Sequence, residues 1–107
     1  MVSMPDIQRY CDAIARAFRP QRIILFGSHA YGRPNRDSDV DVLVVMKKSR
    51  RLWMSTTAQI HQKVSASFPV DVIVRDPAFV QERLREGDIF LEEITRKGRV
   101  MYESSHA

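Results

Sequence analysis

Asp39 and Asp41 stand two residues apart at the head of an apolar run, Val42-Leu43-Val44-Val45. In an extended strand, residues i and i+2 project from one face, so the two carboxylates point together with roughly 7 Å between their Cα atoms. Like charges held that close raise each other's pKa unless positive charge lies between them. Aspartate is also depleted in strands, so two on one face need a reason. A hard divalent cation is the simplest one, because magnesium takes one or two protein carboxylates together with substrate phosphates. Asp71 interrupts a second apolar stretch, Val70-Asp71-Val72-Ile73-Val74, in the same manner. If that strand neighbours the first, three carboxylates converge, which is the ligand set of a site with two metals about 3.5 to 4 Å apart.

The other half of the chemistry lies upstream. Ile23-Ile24-Leu25-Phe26 stops at Gly27-Ser28, and a second glycine follows at Gly32. A strand that ends in glycine and opens into a turn of helix exposes backbone N–H groups, an anion cradle. Ser28 is expected to cap that turn and to offer its hydroxyl to a phosphate. Gly32 is expected to take a conformation closed to other residues. The loop is no Walker motif, since it has neither GxxxxGK[ST] nor a lysine.

Positioning these groups requires an ordered set of elements. Ser3 to Arg19 reads as a helix with Ile7, Tyr10, Cys11, Ile14 and Phe18 on one stripe, Ser3 and Asp6 resembling a capping box, and Pro20 ending it. Arg22 to Phe26 is a strand, Ser28 to Tyr31 a turn of helix, and residues 32–37 a loop. Ser38 to Met46 is a second strand whose apolar half suits burial on both faces. Lys47 to Arg51 is a basic connector, with Ser49 as a cap for a helix over Leu52 to Ser67. Trp53, Thr57, Ile60, Val64 and Phe68 carry the period of that helix, and Pro69 ends it. Val70 to Arg75 is the third strand, and Asp76-Pro77 starts a helix running to about Glu86. Gly87 stops it, Asp88 caps another through Lys97, and Val100 to Tyr102 add a short last strand. The order implies an α+β fold, a small mixed sheet flanked by helices.

Length and composition bound the rest. At 107 residues the chain, 1–107, reads as a single domain. Hydrophobic content of 44% and charged content of 28% suit an ordinary soluble protein. The net charge of +4 is compatible with nucleotides, nucleic acid or an acidic partner and selects none of them. Cys11 is the only cysteine. No intrachain disulfide can form, and a reducing, cytoplasmic setting is the default. Cys11 lies on the apolar stripe and reads as a small buried hydrophobe. The amino terminus lacks a secretory pattern and no apolar run is long enough for a membrane span. His61 and His106 read as surface residues, Asp76 as a helix cap and His29 as a turn residue lining the site. The Lys47-Lys48-Arg50-Arg51 cluster reads as a solvated connector, so RNA is a possible partner that is not favoured.

Taken together, Gly27-Ser28-x3-Gly32-x5-Ser38-Asp39-x-Asp41-x2-Val44 resembles the signature of the DNA polymerase β-like nucleotidyltransferase superfamily. Length and GSxxxG spacing look most like its minimal nucleotidyltransferase branch, and the likeness runs from the first helix to Asp71. The resemblance implies that Gly27, Ser28, Gly32 and Ser38 hold the nucleotide triphosphate. It implies that Asp39 and Asp41 bind two Mg2+ ions, and that Asp71 completes one metal site and helps deprotonate the acceptor. The implied reaction transfers AMP from ATP to a hydroxyl. Members of this branch commonly serve as antitoxins, and some attach AMP to a tyrosine of a helical HEPN-type ribonuclease toxin. The turn carries His29 and Tyr31 where relatives often carry arginine, leaving Arg33 or Arg36 to supply the charge. A chain of this length is expected to leave acceptor recognition to a partner, which favours a protein substrate in a hetero-oligomer. An antitoxin that neutralises its partner by binding alone is the alternative.

Overall fold

In the computed structural model, residues 1–47 and 54–105 are described. Helix α1 (Met4–Phe18) begins where Ser3 Oγ accepts from the Asp6 N–H at 3.2 Å. It ends at Arg19, whose left-handed backbone (φ 50°) returns its N–H to the Ala15 carbonyl. The chain has therefore turned before Pro20 is reached. Strand β1 (Arg22–Phe26) leads into a single helical turn, α2 (Ser28–Tyr31). Strand β2 (Val40–Val45), α3 (Thr56–Lys63) and β3 (Val70–Arg75) follow. Helices α4 (Pro77–Arg85) and α5 (Ile89–Lys97) come next, and β4 (Arg99–Glu103) completes the sheet.

The sheet order is β3-β2-β1-β4. Strand β1 runs antiparallel to both β2 and β4, whereas β2 and β3 are parallel, so the sheet is mixed as expected. Side-chain alternation splits the interior in two. Ile23, Leu25, Val40, Val42, Val44, Val72 and Val74 pack beneath α1 and α3. Ile24, Phe26, Leu43 and Val45 pack beneath Val80 of α4 and Leu91 and Ile94 of α5. Strand β2 is thus covered on both faces, which explains its unbroken apolar run.

Two boundaries differ from the sequence reading. Strand β2 begins at Val40 rather than Ser38, because the Ser38 N–H is held by the Asn35 carbonyl at 3.1 Å and the Val40 N–H is the one that reaches the Pro69 carbonyl, at 3.0 Å. Asp39 therefore sits just ahead of the strand. Helix α3 is shorter than residues 52–67. Ser55 caps it by accepting from Ala58 N–H, and the backbone turns extended at Val64 (φ -122°, ψ 112°) ahead of a serine-rich, proline-terminated segment. Its buried residues are Thr56 and Ile60, so Thr57 lies off the core stripe. Ser49 and Trp53 fall outside the described residues. No helix among the described residues is long and apolar enough to cross a membrane.

Cys11 is fully buried on α1, and burial first, then the neighbouring Asp12 charge, pushes its thiol up to about 12. The thiolate is the reactive form. Ellman's reagent should therefore leave Cys11 untouched in the native protein and titrate one thiol in denaturant. Rapid native labelling would contradict this packing.

Candidate functional site

Register brings the aspartates together. Asp41 is the direct partner of Asp71 across the parallel β2–β3 pair and of Phe26 across the antiparallel β1–β2 pair. Directly opposed residues share a sheet face, and neighbouring strands lie about 5 Å apart, so the Asp41 and Asp71 carboxylates stand side by side. They occupy the end of the face that α4 and α5 cover further along. Asp39 lies two residues before Asp41 and is exposed, as is Asp71, while Asp41 is partly buried.

The charges register on Asp41. Its carboxyl is held above its ordinary value, first by burial, then by Asp71, then by Asp39, against a smaller opposing effect of His29. This is the signature expected of three converging carboxylates, and a divalent cation would relieve it. Among the described residues no three His, Cys, Asp or Glu side chains close into a ready-made ligand cage. The donor set nevertheless fits a hard cation that takes a minority of its ligands from protein and the remainder from phosphate and water.

The glycine turn abuts this cluster. Gly27, with φ 75° and ψ -156°, occupies the N-cap of α2, and its carbonyl accepts from the Ala30 and Tyr31 N–H groups at 3.0 and 3.1 Å. The expectation that Ser28 caps the turn is corrected: Ser28 is the first helical residue, because the chain reverses one position earlier, at the only residue able to adopt that backbone. No side chain caps α2. A Cβ on Gly27 would overlap Oδ2 of Asp41 and stand 3.3 Å from its Cγ. The turn and the carboxylate are in van der Waals contact only because position 27 carries no side chain.

Gly32 requires a second correction. Its φ of -110° lies in the extended region open to any residue. Space explains the glycine instead, since a Cβ there would stand 2.7 Å from the Ser28 Cα. Ser38 is engaged locally, its hydroxyl accepting from the Asn35 N–H at 3.0 Å and lying 3.4 Å from the Asn35 Oδ1. His29 Nε2 lies 3.2 Å from the Ser38 carbonyl, which ties the glycine turn to the segment carrying Asp39. His29 thus lines the site, as its place in the turn suggested. Asp76 caps α4 by accepting from the Ala78 N–H at 2.8 Å, at the opposite end of β3 from Asp71. A cleft of about 320 Å³, lined in part by Arg36, Ser38, Phe68 and Pro69, opens beside the same end of β2 and β3.

Sequence reasoning passed over one neighbour of the site. Phe26 faces the Asp41 side of the sheet, and its ring meets Phe90 of α5 edge to face at 5.7 Å. Phe26 was visible as a strand residue before Gly27, but nothing local marks Phe90, 64 positions away, as its partner.

The arrangement sets three carboxylates against a glycine turn, which suits a polyphosphate with its cations. No curated protein matches the chain significantly. Among solved structures, the chain resembles that of a suspected nucleotidyltransferase from Sulfolobus solfataricus, with a TM-score of 0.56 and 22% sequence identity. That match covers 92% of this chain and 78% of the other, and it shows a shared fold. The family model described as "Nucleotidyltransferase domain" matches residues 7–100, a span that includes the glycine turn and all three aspartates. This chain therefore belongs to the nucleotidyltransferase domain family.

Proposed function

We propose that this chain is a Mg-dependent adenylyltransferase that moves AMP from ATP to a protein hydroxyl, a tyrosine on a helical HEPN-type toxin. It would thereby act as a cytoplasmic antitoxin. The observation that carries the transferase part is the register: Asp41 is flanked by Asp71 on one side and by Phe26, followed by Gly27, on the other. The toxin, the tyrosine and the antitoxin role rest on the likeness of the GSxxxG-x5-SDxD spacing to the minimal branch.

In this reading the glycine turn, through Gly27, Ser28 and Gly32, receives the triphosphate, with Ser38 at the rim. Asp39, Asp41 and Asp71 would hold the divalent cations, which would neutralise the polyphosphate and favour loss of the acceptor proton. The acceptor oxygen forms a bond to the α-phosphorus while the bond to the β-phosphate bridging oxygen breaks. Pyrophosphate leaves with that electron pair. The hydroxyl proton passes to Asp71, an exposed carboxylate, as the likeness to the family implies. Holding both reactants in line is the chief contribution asked of the chain itself.

A second reading keeps the partner and drops the chemistry: the domain neutralises a toxin by binding alone. The turn favours it, since it carries His29 and Tyr31 where relatives often carry arginine. One experiment separates the two. The protein is incubated with Mg·ATP and the product of the adjacent gene, and both chains are weighed intact. The adenylyltransferase reading expects the partner to gain the mass of AMP, and Asp39→Ala to reduce that gain at least 100-fold, the order of loss for removing a group that stabilises transition-state charge. Inhibition of the partner without any gain in mass would establish the binding-only reading instead.

A further inference from the structure

Beyond the phosphate-binding half of the site, the chain presents a half-exposed aromatic ring. Phe90 lies in the first turn of α5 and is 50% exposed, and its neighbour Ile89 is 82% exposed. Its contact with Phe26 leaves about half of the ring open to solvent. Phe26 is itself buried, closing β1 opposite Asp41, one residue before Gly27. The Phe90 ring is therefore anchored to the same sheet face as the carboxylates, with the two planes at 89°.

The segment carrying Phe90 is also rigid. Asp88 accepts from the Leu91 N–H at 3.0 Å and from Arg83 Nε at 3.0 Å, which locks the corner between α4 and α5. Burial of Leu91 and Ile94 fixes the helix against the sheet. A flat, half-exposed ring held on a capped helix beside a polyphosphate site matches what base recognition requires. Stacking accepts any nucleobase, gains strength from a fixed platform, and needs no hydrogen-bond code.

We propose that Phe90, braced by Phe26, is the platform on which the base of the bound nucleotide stacks. This rests on the nucleotide reading of the aspartate site, and it adds the subsite that distinguishes a nucleoside triphosphate from a bare polyphosphate.

Calorimetric titration with Mg·ATP and with Mg·tripolyphosphate tests it, because the second ligand occupies only the phosphate half. Wild type should bind ATP more tightly. Phe90→Ala should weaken ATP binding about 10-fold while leaving tripolyphosphate unchanged. Phe90→Leu, which retains the apolar contact with Phe26 and loses the flat ring, should show the same selective loss, and Phe90→Trp should retain full affinity. Unfolding curves check that each variant is folded, and Phe90→Leu carries the test if Phe90→Ala does not fold. Unchanged ATP affinity in both variants overturns the proposal, as does an equal loss for both ligands, which would make Phe90 a support for the phosphate site. Unchanged ATP binding with lost partner capture overturns it too and assigns the ring to protein docking. A wild type that binds tripolyphosphate and ATP equally refutes the platform alone; one that binds neither removes the nucleotide reading beneath it.

Discussion

Asp41→Asn is expected to raise the melting temperature of the ligand-free protein near neutral pH while removing its stabilisation by Mg·ATP. The sign follows from the raised carboxyl of Asp41, which burial, Asp71 and Asp39 hold above its ordinary value. A carboxyl harder to ionise in the folded state than in the unfolded chain destabilises the fold whenever it is charged. That penalty is absent below the unfolded pKa of about 3.9, grows as pH rises toward the folded value, and is complete above it. The amide removes the charge and hence the penalty, so the gain should be present near pH 7 and should vanish at about pH 3. The functional half runs the other way. Ligand at about 100 times its Kd stabilises a protein by about 2.7 kcal/mol, and this increment should be present in wild type and missing in Asp41→Asn. Thermal melts at the two pH values, with and without Mg·ATP, read both halves. A variant less stable than wild type near neutral pH would show that the charged Asp41 carboxylate carries no net penalty in the fold.

Gly27→Ala should lose the nucleotide response by a different route. The Gly27 backbone, at φ 75° and ψ -156°, lies in a region essentially reserved for glycine, and a side chain there costs roughly 1 to 3 kcal/mol. The new Cβ would also overlap the Asp41 carboxylate. Because that carboxylate ends a flexible side chain, it can swing aside, so the fold should survive with a lowered melting temperature while the carboxylate leaves its place beside Asp71. Gly87→Ala supplies the control. Gly87 has φ 81° with nothing within 4 Å of an added Cβ, so it bears backbone strain without touching the site. It should lower stability and leave nucleotide binding intact. In an Asp41→Ala background the overlap is gone, and Gly27→Ala should cost less by about 0.5 to 3 kcal/mol, the range found for residues in contact. Additive effects would mean that the turn and the carboxylate are independent.

Together the two variants describe a site maintained against the fold's own preference. The raised carboxyl of Asp41 subtracts stability, and β2, buried on both faces, supplies the support that tolerates it. A cation between the carboxylates would offset that burden.

What the sequence by itself determined is what short-range physics controls. Ser3, Asp76 and Asp88 cap their helices as their positions predicted, because a cap depends on a side chain and an N–H two or three residues on. The apolar runs marked the strands, and the DxD spacing marked a paired charge. Local bonding also produced the misses: the Asn35–Ser38 turn delayed β2, and Gly27 displaced Ser28 from the cap, both through backbone geometry that composition does not display. Only the tertiary structure decided that Asp71 pairs with Asp41 rather than facing solvent on a distant strand. That choice is set by the crossover through α3, which makes β3 parallel to β2 and aligns the two chains residue for residue. Only it brought Phe90 to Phe26. Contacts across 30 and 64 positions depend on which faces are buried together, and no local pattern encodes them. The carboxylates that opened the reading were legible as a pair; their third member and their aromatic neighbour became definite when the sheet was assembled.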